Sequence, residues 1–310
     1  MTVHPPPARL PDPYRSRPAT AADAVVVHQL VAACERERLG RIRTGQDAVA
    51  ADLRRPGLNP AMDTLLVHTP TGAVAGRAWV HGGRQCRIDV HPEHRGRGLG
   101  AALLVWAEAR ARQAGGRRLA QTVCDGDRAA AVLLRSRGYS PFVTQWLLEI
   151  AMPTEPAAGP EPPEGVTVRP FRTGDERAAY RLTEDAFAEW QKRRKPYGEW
   201  ARLTVERDTF APEVSSVAFA GGHLVGAVLA LDVPGAGEGY IDRVAVRADH
   251  RNRGLAGLLL RETFRGFHRS GRRVCTLWTH SRTGALSLYE RAGMTVRHSS
   301  TVFGKDLPQE

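Results

Sequence analysis

Two turns rich in arginine and glycine have the composition of anion-binding loops. The first spans residues 95–100 with the sequence R-G-R-G-L-G, and the second, R-N-R-G-L-A, spans residues 251–256, which is 156 residues later. Glycine lets a backbone approach a ligand closely, outward-pointing N–H groups bind anions, and the dipole of a following helix favours negative charge. Both turns are therefore predicted to be cradles for an anionic group.

The elements around the two turns follow the same order. A β-like run precedes each turn, at Cys86–Val90 and Tyr240–Val246, and a helical pattern follows it, at Ala101–Ala111 and Leu258–Phe267. Each half of the chain is predicted to begin with a strand and a helix. Three strands, the cradle, a helix, a strand, a second helix and a closing strand then follow.

The repeat also predicts the domain organisation. A chain of 310 residues is long enough for about two domains. The stretch between the halves is rich in proline, glutamate and alanine, which favours an extended linker. We therefore predict an N-terminal domain at residues 1–151, a linker at 152–165 and a C-terminal domain at 166–310.

Composition narrows the functional classes. No apolar run approaches the roughly 18 residues that span a membrane, and the proline-rich start lacks the apolar core of a secretory signal. The four cysteines are scattered, which disfavours a disulfide framework or a zinc site, so no metal and a cytoplasmic location are expected. The net charge of +11 is consistent with a solvated arginine-rich surface or a polyanionic partner, and we expect no specific binding of nucleic acid.

The motifs together resemble the GNAT superfamily of acyl-CoA-dependent N-acyltransferases. The second turn follows Val244-x-Val246, and the stretch Leu288–Met294 about 38 residues downstream is similar to the family's helix signature. The resemblance extends over residues 14–150 and 166–305. It implies an α/β fold of two tandem GNAT-like domains, each with a twisted, mixed and mostly antiparallel sheet that splays open between its fourth and fifth strands.

The same resemblance implies acetyl-CoA as the acyl donor, with its pantetheine arm in the split and its diphosphate on the amides of the turn. In the C-terminal half the implied cofactor-binding residues are Val244, Ala245, Val246, Arg251, Asn252, Arg253, Gly254, Leu255 and Ala256. In the N-terminal half they are Ile88, Asp89, Val90, Arg95, Gly96, Arg97, Gly98, Leu99 and Gly100.

The resemblance further implies which half is catalytic. The family's usual general acid is a tyrosine four residues before the glycine of the downstream helix, and Tyr289 stands there, whereas Leu134 occupies the matching position of the first half. Family members often place the base on the fourth strand, where Asp242 and Tyr240 stand. Asp242 is interpreted as the base or the anchor of a water relay, as a ligand of the substrate ammonium group, or as a partner in a salt bridge.

The expected function is transfer of acetyl to the primary amine of a small molecule or peptide, with chemistry in the C-terminal half. The N-terminal half is then a degenerate copy, which either still binds coenzyme A or only shapes the cleft. The alternative is a non-catalytic acyl-CoA sensor or assembly module, and either a monomer or a homodimer is expected. Where the family builds its acceptor wall, the predicted substrate-binding residues are Glu189, Trp190 and Tyr197, together with Tyr240.

Overall fold

The structure is a computed structural model that describes residues 8–157, 159–189, 191, 193–233 and 237–308. Its internal contacts divide the chain into two compact units. Unit 1 comprises residues 1–143 and 300–310, and unit 2 comprises residues 144–299.

The first half of the chain alternates strands and helices. Its strands are β1 (Arg15–Arg17), β2 (Thr64–His68), β3 (Val74–His81), β4 (Gln85–Val90), β5 (Arg118–Cys124) and β6 (Ser140–Ala151). Its helices are α1 (Ala24–Leu39), α2 (Gln46–Leu53), α3 (Pro60–Asp63), α4 (Leu99–Gln113) and α5 (Arg128–Ser136).

The second half follows the same plan. Its strands are β7 (Val166–Pro170), β8 (Ser216–Ala220), β9 (His223–Val233), β10 (Glu238–Val246), β11 (Val274–His280) and β12 (Thr295–Asp306). Its helices are α6 (Glu176–Ala186), α7 (Tyr197–Leu203), α8 (Leu255–Arg269) and α9 (Leu286–Arg291).

Each unit contains one mixed sheet. The strand order in unit 1 is β1-β2-β3-β4-β5-β12, and in unit 2 it is β6-β11-β10-β9-β8-β7. Within each unit the paired strands run antiparallel except at one place, β4 with β5 and β10 with β11, where the pairing is parallel and short. The predicted α/β fold, with two tandem GNAT-like regions splayed between the fourth and fifth strands, is confirmed.

The closing strands do not pair within the sequence half to which they were assigned. Residues 145–151 of β6 pair with β11 in unit 2, whereas residues 300–306 of β12 pair with β5 in unit 1. The two contact units therefore differ from the predicted domains 1–151 and 166–310. Those domain limits concern segments that fold independently, and they stay predictions.

Helices cover both faces of the sheet in unit 2, which explains why β9 is buried along most of its length. On one face, Phe264 and Phe267 of α8 pack against Val225 and Val228. On the other face, Trp200 of α7 packs with alternate strand residues such as Leu229. The two apolar layers hold β10 in place between them, and this strand carries the predicted base.

None of the helices described in the structure is both long and apolar enough to cross a membrane.

Gly239 of β10 shows how tightly one of these layers is packed. A Cβ atom at this position would lie 2.6 Å from the ring of Phe267, which is fully buried. We expect Gly239→Ala to lower the free energy of unfolding by about 1–3 kcal/mol through overpacking. Denaturant titration followed by tryptophan fluorescence measures the change.

Gly198→Ala in α7 is the matched control, because a Cβ there meets no atom within 4 Å. Alanine in a helix should raise stability by about 0.5–1 kcal/mol. Equal denaturation midpoints for both variants would contradict the packing described for Gly239.

Candidate active site

The parallel pairing of β10 and β11 ends abruptly and opens a cavity in unit 2. The last paired residues are Ile241 and Leu277, after which the strands separate. A cavity of about 1000 Å³ lies at this split, and both strands contribute to its lining. A volume of this size accommodates an extended ligand rather than an ion.

A β-bulge at Asp242 changes which side chains face the cavity. The register between β9 and β10 shifts between Ile241 and Arg243, so Asp242 is the extra residue. Ile241 packs in the core beneath α8, whereas Ala245, an even number of residues later, packs on the opposite face with α6 and α7. Because the bulge interrupts the alternation of the strand, Asp242 and Arg243 both line the cavity.

The Asp242 carboxylate is mostly buried and surrounded by cations. Its Oδ2 lies 3.2 Å from Nε of Arg243, and its Oδ1 lies 4.0 Å from Nη1 of Arg207. Burial raises the pKa of the Asp242 carboxyl above its usual value, although the charges of Arg243, Arg207 and Lys195 oppose the shift. Asp242 is therefore a stronger proton acceptor than an exposed aspartate.

Tyr289 lies across the same cavity on the short helix α9. Its side chain is only 8% exposed. Burial, as the larger cause, and the neighbouring Tyr240, as the smaller one, raise the pKa of its phenol to about 12. The pKa of Tyr240 is also raised, by burial and by Asp242. Tyr289 is thus fully protonated at neutral pH and able to donate a proton.

The second cradle has the geometry of an anion site. Asn252 and Gly254 both adopt left-handed backbone conformations, with φ of 61° and 77°, and α8 begins directly after them. The first i→i−4 bond of this helix is from Leu258 N–H to the Gly254 carbonyl, so the preceding amides have no partner within the helix. Arg251 stays beside the turn by donating from Nε to the Val246 carbonyl at 3.2 Å.

Most of the predicted cofactor residues of the second half share one cavity. The residues that line it are Val244, Ala245, Val246, Arg251, Asn252, Gly254, Leu255 and Ala256. Cavity size, free helix-terminal amides and a basic turn together fit a molecule that carries a diphosphate. The individual contacts of these residues with acetyl-CoA stay predictions.

The first cradle copies this backbone in unit 1. Gly96 and Gly98 have φ of 73° and 81°, and α4 follows Gly98 directly. Its sheet also splays, since β4 and β5 pair only near their start, through Gln85 and Cys86. The two cradles are therefore alike in backbone, and what differs between the units lies on the fourth strands.

The fourth strand of unit 1 carries structural rather than reactive side chains. Asp89 is buried and accepts a hydrogen bond from Nε of Arg77 at 2.8 Å. Although burial opposes ionisation, the charges of Arg87 and Arg77 hold the pKa of Asp89 well below its usual range. At the positions that match Tyr289 and Asp242, Leu134 and Cys86 are buried in apolar clusters.

The predicted acceptor residues do not gather in the cavity. Tyr197 lies in an aromatic cluster with Tyr180 and Trp200, at centroid distances of 5.5 and 6.2 Å. Glu189 is exposed and is not among the residues that line the cavity, and Trp190 lies outside the described residues. Tyr240 stands near Asp242 and Tyr289, as its electrostatic coupling to both indicates.

Other residues of the same segment do line the acceptor side, namely Phe187, Gln191 and Lys195. Two of them are held by Glu184, whose fully buried side chain accepts hydrogen bonds from the Lys195 backbone N–H at 2.7 Å and from Nε2 of Gln191 at 3.4 Å. A carboxylate on the inner face of an amphipathic helix is the sequence signal that would have indicated this anchor.

The split also exposes two further side chains of β11. Trp278 is 47% exposed and lines the cavity one residue beyond the last paired position. His280 lines it on the same strand, with a buried Nδ1 that has no hydrogen-bond partner and a pKa lowered by burial. Among the described residues no group of three or more His, Cys, Asp or Glu side chains is placed to hold a metal ion.

Comparisons with known proteins show the family of this chain. The model of the Acetyltransferase (GNAT) family matches residues 46–139 and 177–294. The chain is 31% identical to the mycothiol acetyltransferase of Geodermatophilus obscurus, over 77% of this chain and 80% of that protein. It is also 31% identical to the mycothiol acetyltransferase of Streptomyces bingchenggensis, with the same coverage.

Solved structures of GNAT proteins have the same fold as this chain. A GCN5-related N-acetyltransferase from Sphaerobacter thermophilus superposes with a TM-score of 0.81 at 33% identity, over 96% of this chain and 97% of that one. A tandem GNAT protein from the clavulanic acid biosynthesis pathway superposes with a TM-score of 0.69 at 18% identity, over 96% and 99% of the two chains. The second likeness concerns the fold alone.

The cradle of unit 2 makes a direct prediction about cofactor binding. Gly254→Asp places a carboxylate at the N-terminus of α8, where each interaction of the helix dipole with a charge contributes about 0.3–1 kcal/mol. We expect repulsion of the diphosphate to weaken coenzyme A binding to unit 2 by about tenfold or more. Isothermal titration calorimetry of the full chain measures the affinity.

Gly222→Asp is the matched control, because Gly222 has a similar φ of 76° in an open hairpin turn. It introduces the same side chain in the same backbone conformation away from the cavity. If Gly254→Asp binds coenzyme A in unit 2 as tightly as Gly222→Asp does, the cradle is not the diphosphate site.

Proposed function

The chain belongs to the GNAT acetyltransferase family, and on this basis we propose that it transfers acetyl from acetyl-CoA directly to a primary amine in the cavity of unit 2. As a member it is an N-acetyltransferase, and acetyl-CoA is the donor of this family. The observation that carries the proposed location is that Asp242, Tyr289 and the left-handed turn before α8 line one cavity.

The bound acyl donor supplies an acetyl thioester. The free amides at the start of α8 and the side chain of Arg251 would hold its diphosphate, and the backbone of residues 244–246 would hold its pantetheine arm. In the reaction a C–N bond forms and the C–S bond breaks, so the amine must lose one proton and the departing sulfur must gain one.

Asp242 is the proposed acceptor of the amine proton, either directly or through a water. Its raised pKa brings it closer to the operating pH than an exposed carboxylate, which is what an efficient general base requires. Arg243 and Arg207 keep enough positive charge nearby for Asp242 to remain ionised at neutral pH.

Tyr289 is the proposed donor of the proton to sulfur. Its pKa of about 12 keeps the phenol protonated across the physiological range, and the partly closed cavity limits competition from bulk water. A donor that does not ionise before the C–S bond breaks is suited to neutralise a developing thiolate.

The amine acceptor is a small molecule or a peptide. The relatives are named mycothiol acetyltransferases, so the deacetylated form of mycothiol belongs in any panel of amines tested with this protein. Release of free thiol from acetyl-CoA in the presence of an amine distinguishes catalysis from the non-catalytic sensor alternative.

Tyr289→Phe tests the acid directly, because it keeps the ring and removes only the hydroxyl. We expect kcat to fall by about 10²–10⁴-fold, the usual contribution of a positioned acid, and the affinity for coenzyme A to change little. Thiol release and calorimetry give the two quantities.

Tyr139→Phe, in the buried core of unit 1, is the matched control and should leave kcat unchanged. A Tyr289→Phe enzyme with wild-type kcat, under conditions where the chemical step limits turnover, would refute the assignment.

The pH profile tests the base. Because Asp242 must be ionised to accept a proton, kcat should rise with pH as the pH passes the raised pKa of Asp242. Asp242→Asn should remove this rising limb of the pH profile. Tyr289 produces no falling limb in the neutral and mildly alkaline range, since its pKa is about 12. The measurement is kcat between about pH 5 and pH 9 at saturating substrates.

An Asp242→Asn enzyme that keeps the limb and shows only a higher KM for the amine would assign Asp242 to binding of the ammonium group instead.

A further inference from the structure

Two consecutive charged side chains share one wall of the cavity in unit 2. In a regular strand the side chains of residues 242 and 243 would point to opposite faces of the sheet. The bulge between Ile241 and Arg243 removes this alternation, so a carboxylate and a guanidinium stand side by side at the split. Bulges that redirect side chains in this way are concentrated next to active sites.

The two groups do not satisfy each other. Oδ2 of Asp242 and Nε of Arg243 are 3.2 Å apart, yet both atoms are buried without a hydrogen bond in the structure. Burying polar groups that lack hydrogen bonds costs free energy, so such groups in a native cavity require an explanation. A ligand that supplies the missing partners is one.

A purely structural ion pair in the same unit has a different geometry. Arg169 and Asp175 form two parallel hydrogen bonds, of 2.7 and 2.8 Å, outside the cavity. The bidentate arrangement is the strong one for arginine and a carboxylate. The contrast indicates that Arg243 and Asp242 are not arranged to bind each other.

A second guanidinium stands on the other side of the carboxylate. Nη1 of Arg207 is 4.0 Å from Oδ1 of Asp242, and its side chain is 43% exposed, so it is able to turn towards a ligand. Lys195, the third nearby cation, is already held by Gln191 at 2.9 Å and by the buried Glu184 at 3.6 Å. The Asp242 carboxylate therefore has two guanidinium groups near it, Arg243 in the cavity lining and Arg207 beside the carboxylate.

We propose that the acceptor is an amino acid, or a molecule with an equivalent head group, in which one or two carbons separate the amine from a carboxylate. Arg243 and Arg207 bind its carboxylate, and its amine lies beside Asp242. The proposal rests on the proposed function, because it assumes that the amine reacts in this cavity. The ring of Phe187, 5.9 Å from the Arg243 guanidinium, provides an apolar surface beside this head group.

Paired ligands that differ only in charge test the proposal. Full-length protein saturated with coenzyme A is titrated calorimetrically with each proteinogenic amino acid and with its carboxamide, which has almost the same size. We expect at least one amino acid to bind about 10- to 100-fold more tightly than its own amide, as charge-assisted bidentate contacts allow.

Variants assign that preference to the two arginines. Arg243→Gln and Arg207→Gln should each reduce it by about tenfold, and Arg243→Lys should keep part of it, because lysine retains the charge but loses the planar fork. Arg202→Gln, on the exposed side of α7, is the matched control and should leave the preference unchanged. Because Arg207 is exposed, its variant stays informative if substitution of Arg243 disturbs folding.

Two results would overturn the proposal. One is that every amino acid binds within about twofold of its amide, and the other is that an amine without a carboxylate, the deacetylated form of mycothiol, binds more tightly than all of them. Failure of the proposed function looks different, since an amino acid would then bind with the expected preference but release no thiol from acetyl-CoA.

Discussion

The site depends on one constraint, which is that β10 must separate from β11 while it stays bonded to β9. Parallel pairing is retained only through Ile241 and Leu277, whereas antiparallel pairing with β9 continues to Val246. A strand held on one side only leaves backbone groups and side chains on its other side available to a ligand. Because the turn that begins α8 follows directly from this free segment, the cradle opens into the same cavity as the split.

Such an opening is costly, and the surrounding core offsets the cost. Groups at a split lose hydrogen bonds that a continuous sheet would provide, and Asp242 is kept largely out of water beside cations that do not fully pair with it. Fully buried aromatic side chains, Phe264 and Phe267 on one face and Trp200 on the other, fix the strands from both sides. Asp242, Arg243 and His280 thus line one cavity between packed strands, where their unmet hydrogen bonds are available to ligands.

Local patterns were enough to predict the fold but not the acceptor side of the site. The repeated turns, the strand before each and the helix after each depend on neighbouring residues, and the left-handed conformations of Gly98 and Gly254 follow from the absence of a side chain. The bulge at Asp242 depends on pairing with β9, which no period within β10 reveals. Glu184 left a signal, a carboxylate on the inner face of a helix, but the Lys195 backbone that it binds is brought to it only by the fold. Tyr197 packs against an aromatic cluster and does not line the cavity, a placement that the sequence pattern does not reveal, so its role stays a prediction.

The two units differ in the register of their fourth strands and not in the backbone of their cradles. The cradles match closely in backbone conformation, with φ of 73° and 81° in unit 1 against 61° and 77° in unit 2. In β4, however, consecutive residues from Gln85 to Val90 pair in unbroken register with β3, so the alternation of faces is kept. Arg77 and Asp89 then meet directly across the two strands and satisfy each other. One extra residue in β10 breaks this alternation in unit 2 and leaves a carboxylate and a guanidinium facing the cavity, each with hydrogen-bonding capacity unused.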